Sequence, residues 1–243
     1  MFAQVLLASA LVALVASQVQ PSQLKKCNAQ DFQTCQHGFD GLINAGITAD
    51  WSNPAALAIA IQNMYIKGAL KGHQNGLIAV CNAYNVMLNC LIKKDLSPET
   101  CFDPLFMLKN DKQKEQAYPY AMVMKMLQFQ CGAGFYPALD NWKCIQSVYQ
   151  NKNATLEGAL NNFLFNVAGN PMGACFYVKN GIIAYETAFA SCHNTEVSYY
   201  ACESFNQFTT PLVSACSETC RVAQQAQKKP ELEEEKAAEE EQQ

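Results

Sequence analysis

Residues 75–101 read NGLIAVCNAYNVMLNCLIKKDLSPETC, and the spacing inside this stretch decides the fold class. Leu77, Val80, Cys81, Tyr84, Met87, Leu88 and Leu91 recur at i, i+3, i+4 and i+7, the period of a helix with one buried face. Lys93 and Lys94 suit the negative end of that helix dipole, so the helix is expected to stop there. Ser97 and Pro98 then read as the N-cap and first position of a following helix. Cys81 and Cys90 lie nine positions apart, which at about 100° per residue places them on nearly opposite sides of the helix. Each is therefore expected to bond to a different neighbour, making the helix a strut tied on both flanks. The stretch carries no catalytic or binding signature.

Outward from this strut, the other cysteines extend the same logic. The chain has twelve: Cys27, Cys35, Cys81, Cys90, Cys101, Cys131, Cys144, Cys175, Cys192, Cys202, Cys216 and Cys220. Ahead of them, an apolar run from Val5 to Val15 followed by small residues reads as a secretory signal at 1–17, cleaved after Ser17. An even cysteine count in a chain bound for an oxidising compartment favours six disulfides, with the connectivity left open. Zinc is the competing account, but it wants short paired ligand spacings. The shortest spacing here, Cys216-x3-Cys220, occurs once. No stretch after the signal approaches the length of a membrane span.

The net charge of −4 is carried by the C-terminal tail, where residues 228–243 hold seven glutamates and three lysines. The rest of the chain balances fourteen acidic against fourteen basic residues, with Arg221 the single arginine. No clustered basic surface invites nucleic acid or an acidic membrane. The expected organisation is a signal peptide at 1–17, one cysteine-rich helical domain at 18–226, and a solvated, partly helical or disordered acidic tail at 227–243. The fold class is mainly α, a disulfide-stapled helical bundle in a single domain.

Along the body, Cys27 and Cys35 mark the start of order, and Gly38, Gly41 and Gly46 read as a loop. Asn53 caps a helix entered by Pro54 and faced by Leu57, Ile61, Met64 and Tyr65. Pro104 interrupts or restarts a helix, and Asn110 to Gln116 reads as a polar turn. Ala121 to Cys131 is apolar nearly all round, with Met122, Met124 and Met126, and is expected to cross the core. Such a methionine stripe is also the pattern of an adaptable ligand surface. Pro137 to Tyr149 reads as one helix. Leu156, Leu160, Phe163, Leu164 and Val167 form another, closed by Gly169 and Pro171. Cys175 to Cys192 is read as a helix kinked at Asn180-Gly181, ahead of two strands on a tight turn. Thr210-Pro211 is expected to start a last helix carrying Cys216 and Cys220 on one face.

Candidate chemistry is sparse. Asn153-Ala-Thr155 is the one N-glycosylation sequon and its polar setting suits a surface loop. His37, His73 and His193 are widely separated, and none has a second ligand at i+3 or i+4. Cys192-His193 lacks the aspartate and calcium loop of secreted phospholipase A2. There is no G-x-S-x-G elbow, no H-E-x-x-H, and no carboxylate pair suited to glycosidic work.

The order Cys81-N-A-Y-N-V-M-L-N-Cys90, then Phe129-Q-Cys131, Trp142-K-Cys144 and Cys216-S-E-T-Cys220, resembles nematode secreted cysteine-rich domains. The nearest is the chondroitin proteoglycan 4 type, and the resemblance spans Cys27 to Cys220. It implies a helical extracellular protein of no assigned molecular activity. None of the eleven serines precedes glycine, so the chain lacks the Ser-Gly unit that carries chondroitin. The expected function is a non-enzymatic extracellular protein, without cofactor or metal, structural or interacting with other extracellular proteins. The alternatives are a carrier of an apolar small molecule or lipid held between helices, and an enzyme of unrecognised type.

Overall fold

Prolines and short polar side chains cut this chain into helices at defined points. The structure is a computed structural model that describes residues 26–43, 53–67, 75–110, 112–216 and 218–221. The signal at 1–17, the acidic tail at 227–243, Gly46 and His73 lie outside the described residues. Eleven α-helices and no strand occur among the described residues. They form a single helical domain. The first three helices are α1 (Ala29–Leu42), α2 (Pro54–Lys67) and α3 (Gly76–Lys93). Next come α4 (Pro98–Cys101), α5 (Pro104–Lys109), α6 (Lys114–Gln130), α7 (Phe135–Asp140) and α8 (Trp142–Asn151). The last are α9 (Asn153–Gly169), α10 (Ala174–Phe189) and α11 (Thr195–Val213).

Side-chain caps set many of the starts by accepting from amides that have no partner inside the helix. Asn28 accepts from the amide of Asp31 at 2.9 Å, Asn53 from Ala56 at 3.2 Å and Asn75 from Leu77 at 2.9 Å. Asp103 accepts from Leu105 at 2.8 Å and Asn194 from Glu196 at 2.7 Å. Ser97 caps α4, and Pro98 and Pro104 open their helices with no amide to satisfy. Lys94 ends α3 as expected and also reaches back to α1, its Nζ 2.7 Å from an Asp31 carboxylate oxygen.

The strut is confirmed. Cys90 bonds to Cys35 of α1, and Cys81, on the other side of α3, bonds to Cys131 at the end of α6. The helix at the centre of the molecule is nevertheless α6. Tyr120, Met122, Met124 and Leu127 are fully buried, and α6 packs against α11, α5, α2 and α3. α11 lies along α6 and α10, α10 along α9, and both α1 and α2 pack on α3. The remaining bonds are Cys27–Cys101, Cys144–Cys192, Cys175–Cys216 and Cys202–Cys220, and no described cysteine is free.

Four local expectations are corrected. Gly38 and Gly41 belong to helix α1 rather than to a loop: each turns its hydrogen-only side to open space, while Phe32, Cys35 and Phe39 bury the other face. Tertiary burial there outweighs the low helix propensity of glycine. α6 begins at Lys114, inside the expected turn, and continues through Pro119. The segment 137–149 is two helices broken at Asn141, whose Nδ2 donates to the Pro137 carbonyl at 2.9 Å and whose Oδ1 accepts from Asn194 at 2.9 Å. The segment from Cys175 is helical as expected, with α10 running through Asn180-Gly181 rather than forming two strands. A Cβ on Gly181 would lie 1.9 Å from Cζ of Phe205, so glycine serves there to let α11 approach.

The fourth correction concerns the last cysteines. Thr210-Pro211 starts no helix. It lies within α11, which ends in a 3-10 turn at Ser214–Cys216. Cys220 sits in non-helical chain beyond it. Both cysteines still pin this end, one to α10 and one to the middle of α11.

Candidate functional site

All twelve cysteines are consumed by disulfides, so the chain presents no thiolate for nucleophilic or metal chemistry. His37 is exposed on α1, and His193 is exposed in the left-handed region at φ 48° where the 3-10 turn Ala190–Cys192 ends. The two are on different elements. No group of three His, Cys, Asp or Glu side chains able to hold a metal occurs among the described residues. The sequon residue Asn153 is not in a loop: it is the first residue of α9, half-buried, and its Oδ1 is enclosed with no hydrogen-bond partner.

What the helices do bring together is a tyrosine cluster beneath a cleft. Tyr65 of α2 donates to Gln130 Oε1 of α6 at 2.7 Å, and Gln130 Nε2 donates to Ser204 Oγ of α11 at 3.2 Å. Tyr149 of α8 lies 3.4 Å from Gln130 Nε2 and 3.2 Å from the hydroxyl of Tyr200. The rings of Tyr65 and Tyr149 stack at 4.9 Å, and Trp142 meets Tyr65 edge-on at 5.6 Å. A buried tyrosine needs a partner for its hydroxyl, and the single amide of Gln130 serves several. Burial lifts the pKa values of Tyr65, Tyr185 and Tyr200 well above the ordinary tyrosine value. That of Tyr149 is pushed up to about 12, burial outweighing its hydrogen bonds to Tyr200 and Gln130. The phenols are thus neutral at physiological pH.

Above this cluster a cleft of about 170 Å³ opens between α2 and α9. Ala58 and Ile59 form one wall, Leu156 and Leu160 the other, and Tyr65, Tyr149 and Tyr185 lie at its base. Gln62, Glu157 and Asn161 are its polar members. The methionine stripe does not line it as a surface: Met122 and Met124 are fully buried in the core, and only Met126 reaches the cleft. Residue periodicity marked Tyr65 as an apolar face position and Tyr149 as the end of a helical segment, and overlooked their hydroxyls. The signal available was Gln130, an amide in the apolar segment expected to cross the core.

A second feature lies at the turn joining α9 to α10. Phe165, Met172 and Phe176 are 80%, 96% and 64% exposed. No charged residue stands between Glu157 and Lys179. The Cys175–Cys216 bond ties this apolar end to the end of α11.

Among the described residues, one helix is long and apolar enough to cross a membrane, α3, and half of it is buried inside the protein. Its two disulfides and buried face make it a core helix. Compared with protein-family models, curated proteins and solved structures, the chain matches none.

Proposed function

We propose that this chain is a secreted, non-enzymatic extracellular protein that acts by docking to another secreted protein through the apolar end of the α9–α10 hairpin. The observation that carries this reading is the trio Phe165, Met172 and Phe176, three large apolar side chains exposed around one turn, with Lys179 the nearest charge along the chain. Exposed large apolar side chains gathered in one place are the usual mark of an interaction site. The disulfides support the extracellular part, since six bonds persist only in an oxidising compartment and hold a binding end in shape in protease-rich fluid. The resemblance of the cysteine order to chondroitin proteoglycan 4 domains belongs to the same proposal. The same six pairings are expected in a domain of that family.

The test is a photo-crosslinking side chain placed at Phe176 of the secreted chain, with a control at His37 on α1. A discrete adduct with one extracellular protein at 176 and none at 37 is expected, lost in the triple variant F165S/M172S/F176S while its helical circular dichroism is kept. No discrete adduct at 176, or a hydrolase activity abolished by a point substitution, overturns the reading.

A further inference from the structure

The cleft between α2 and α9 has three properties that together restrict what fits it. Its walls are aliphatic, from Ala58, Ile59, Leu156 and Leu160. Its base is aromatic, the stacked rings of Tyr65 and Tyr149 with Tyr185 beside them. Its lining carries one charge, Glu157, half-buried and without a cationic partner among the described residues. Glu157 lies close enough to Tyr185 for its carboxylate to add to the upward push that burial exerts on that phenol.

Size comes first. An apolar cavity of about 150 Å³ accepts a benzene ring, so a cleft of about 170 Å³ holds one six-membered ring and a short chain. Charge comes next. A carboxylate or phosphate entering here meets the negative charge of Glu157 and is repelled. An ammonium is attracted to that carboxylate. The amide oxygens of Gln62 and Asn161, which also line the cleft, add acceptors for N–H groups. A purely hydrocarbon ligand would satisfy the walls but leave the carboxylate beside it poorly solvated.

From this combination we propose that the cleft is a binding site for a monocyclic apolar amine, its ring between the α2 and α9 walls and its ammonium against Glu157. The site is separate from the hairpin end and its occupancy requires no partner protein.

The probe is 2-phenylethylamine, titrated calorimetrically into the full secreted chain, with 2-phenylethanol and phenylacetate as neutral and anionic counterparts of the same ring. Saturable binding of the amine is expected, with the alcohol weaker by about fivefold and the acid weaker still. E157Q should bring the amine down to the affinity of the alcohol and leave the alcohol unchanged. A58W, which fills the cleft, should abolish binding of both with helical circular dichroism retained. If A58W loses its fold, A58F serves the same purpose. The proposal is overturned by an absence of saturable amine binding, by phenylacetate binding as tightly as the amine, or by E157Q leaving the amine preference intact. The triple hairpin variant should bind the amine like the parent chain, so failure of the docking reading and failure of this one give different results.

Discussion

Gly181 and Phe205 define how closely α10 and α11 lie. The Phe205 ring is fully buried and hemmed in by Tyr185 at 5.1 Å, Phe163 at 5.9 Å and Phe208 at 6.1 Å, so it has nowhere to retreat. G181A gains about 1 kcal/mol of helix propensity, but overpacking a closed core costs about 1–3 kcal/mol. A net loss of stability is expected in urea denaturation, and F205L in the same chain should recover it. The buried tyrosines make a second prediction at this scale. Their folded-state pKa values are raised, above the value near 10 of an unfolded chain. Their contribution is therefore complete below about pH 9 and is lost as pH rises from about 10 through the folded-state values. Each such tyrosine adds a slope of at most about 1.4 kcal/mol per pH unit. The urea midpoint should stay flat with respect to these groups from about pH 7 to 9 and fall above 10, with phenolate absorbance from the cluster appearing only together with unfolding.

At the scale of elements, α3 and α6 are joined by one bond whose loop is long. Cys81 and Cys131 are 50 residues apart, against 18 for Cys202 and Cys220. The chain-entropy account assigns about 4 kcal/mol to the first and about 3 kcal/mol to the second. C81A/C131A is expected to lower the guanidinium midpoint more than C202A/C220A, and to speed amide exchange in the C-terminal turns of α6, which then lack their anchor to α3. α3 itself was legible because burial and period agree along its length: Leu77, Val80, Cys81, Tyr84, Met87 and Leu91 are all buried. α1 and α11 were not, because glycine and proline carry a local message that packing overrode. Gly38 and Gly41 sit on the open side of a helix anchored by its other face, and Pro211 sits in α11 just before the 3-10 turn bound through Cys216 to α10.

Across the whole molecule, the disulfides divide the chain into two sets. Three bonds lie within residues 27–131 and three within 144–220, and none crosses. The halves are joined by the chain 132–143 and by packing of α6 on α11 and of α2 on α8. A protease site inserted at Ala133, which is exposed in the turn between α6 and α7, should give a cleaved protein that stays whole in native gel filtration. The same protein should separate into two fragments on a denaturing gel without reductant. A single band under those conditions would mean that a bond crosses between the halves.

The sequence by itself determined the helical class, the strut at residues 76–93 with cysteines facing opposite neighbours, and the helix starts at Asn53-Pro54 and Ser97-Pro98, because periodicity, caps and prolines act within a few residues. Only the tertiary structure decided which cysteines pair, since twelve positions along a chain say nothing of which lie about 5–6 Å apart once it folds. It also decided the place of α6 at the centre and the cleft at Tyr65, Tyr149 and Glu157, whose residues are contributed by α2, α8 and α9. Contacts across that sequence distance are set by how helices pack, and no local pattern encodes them.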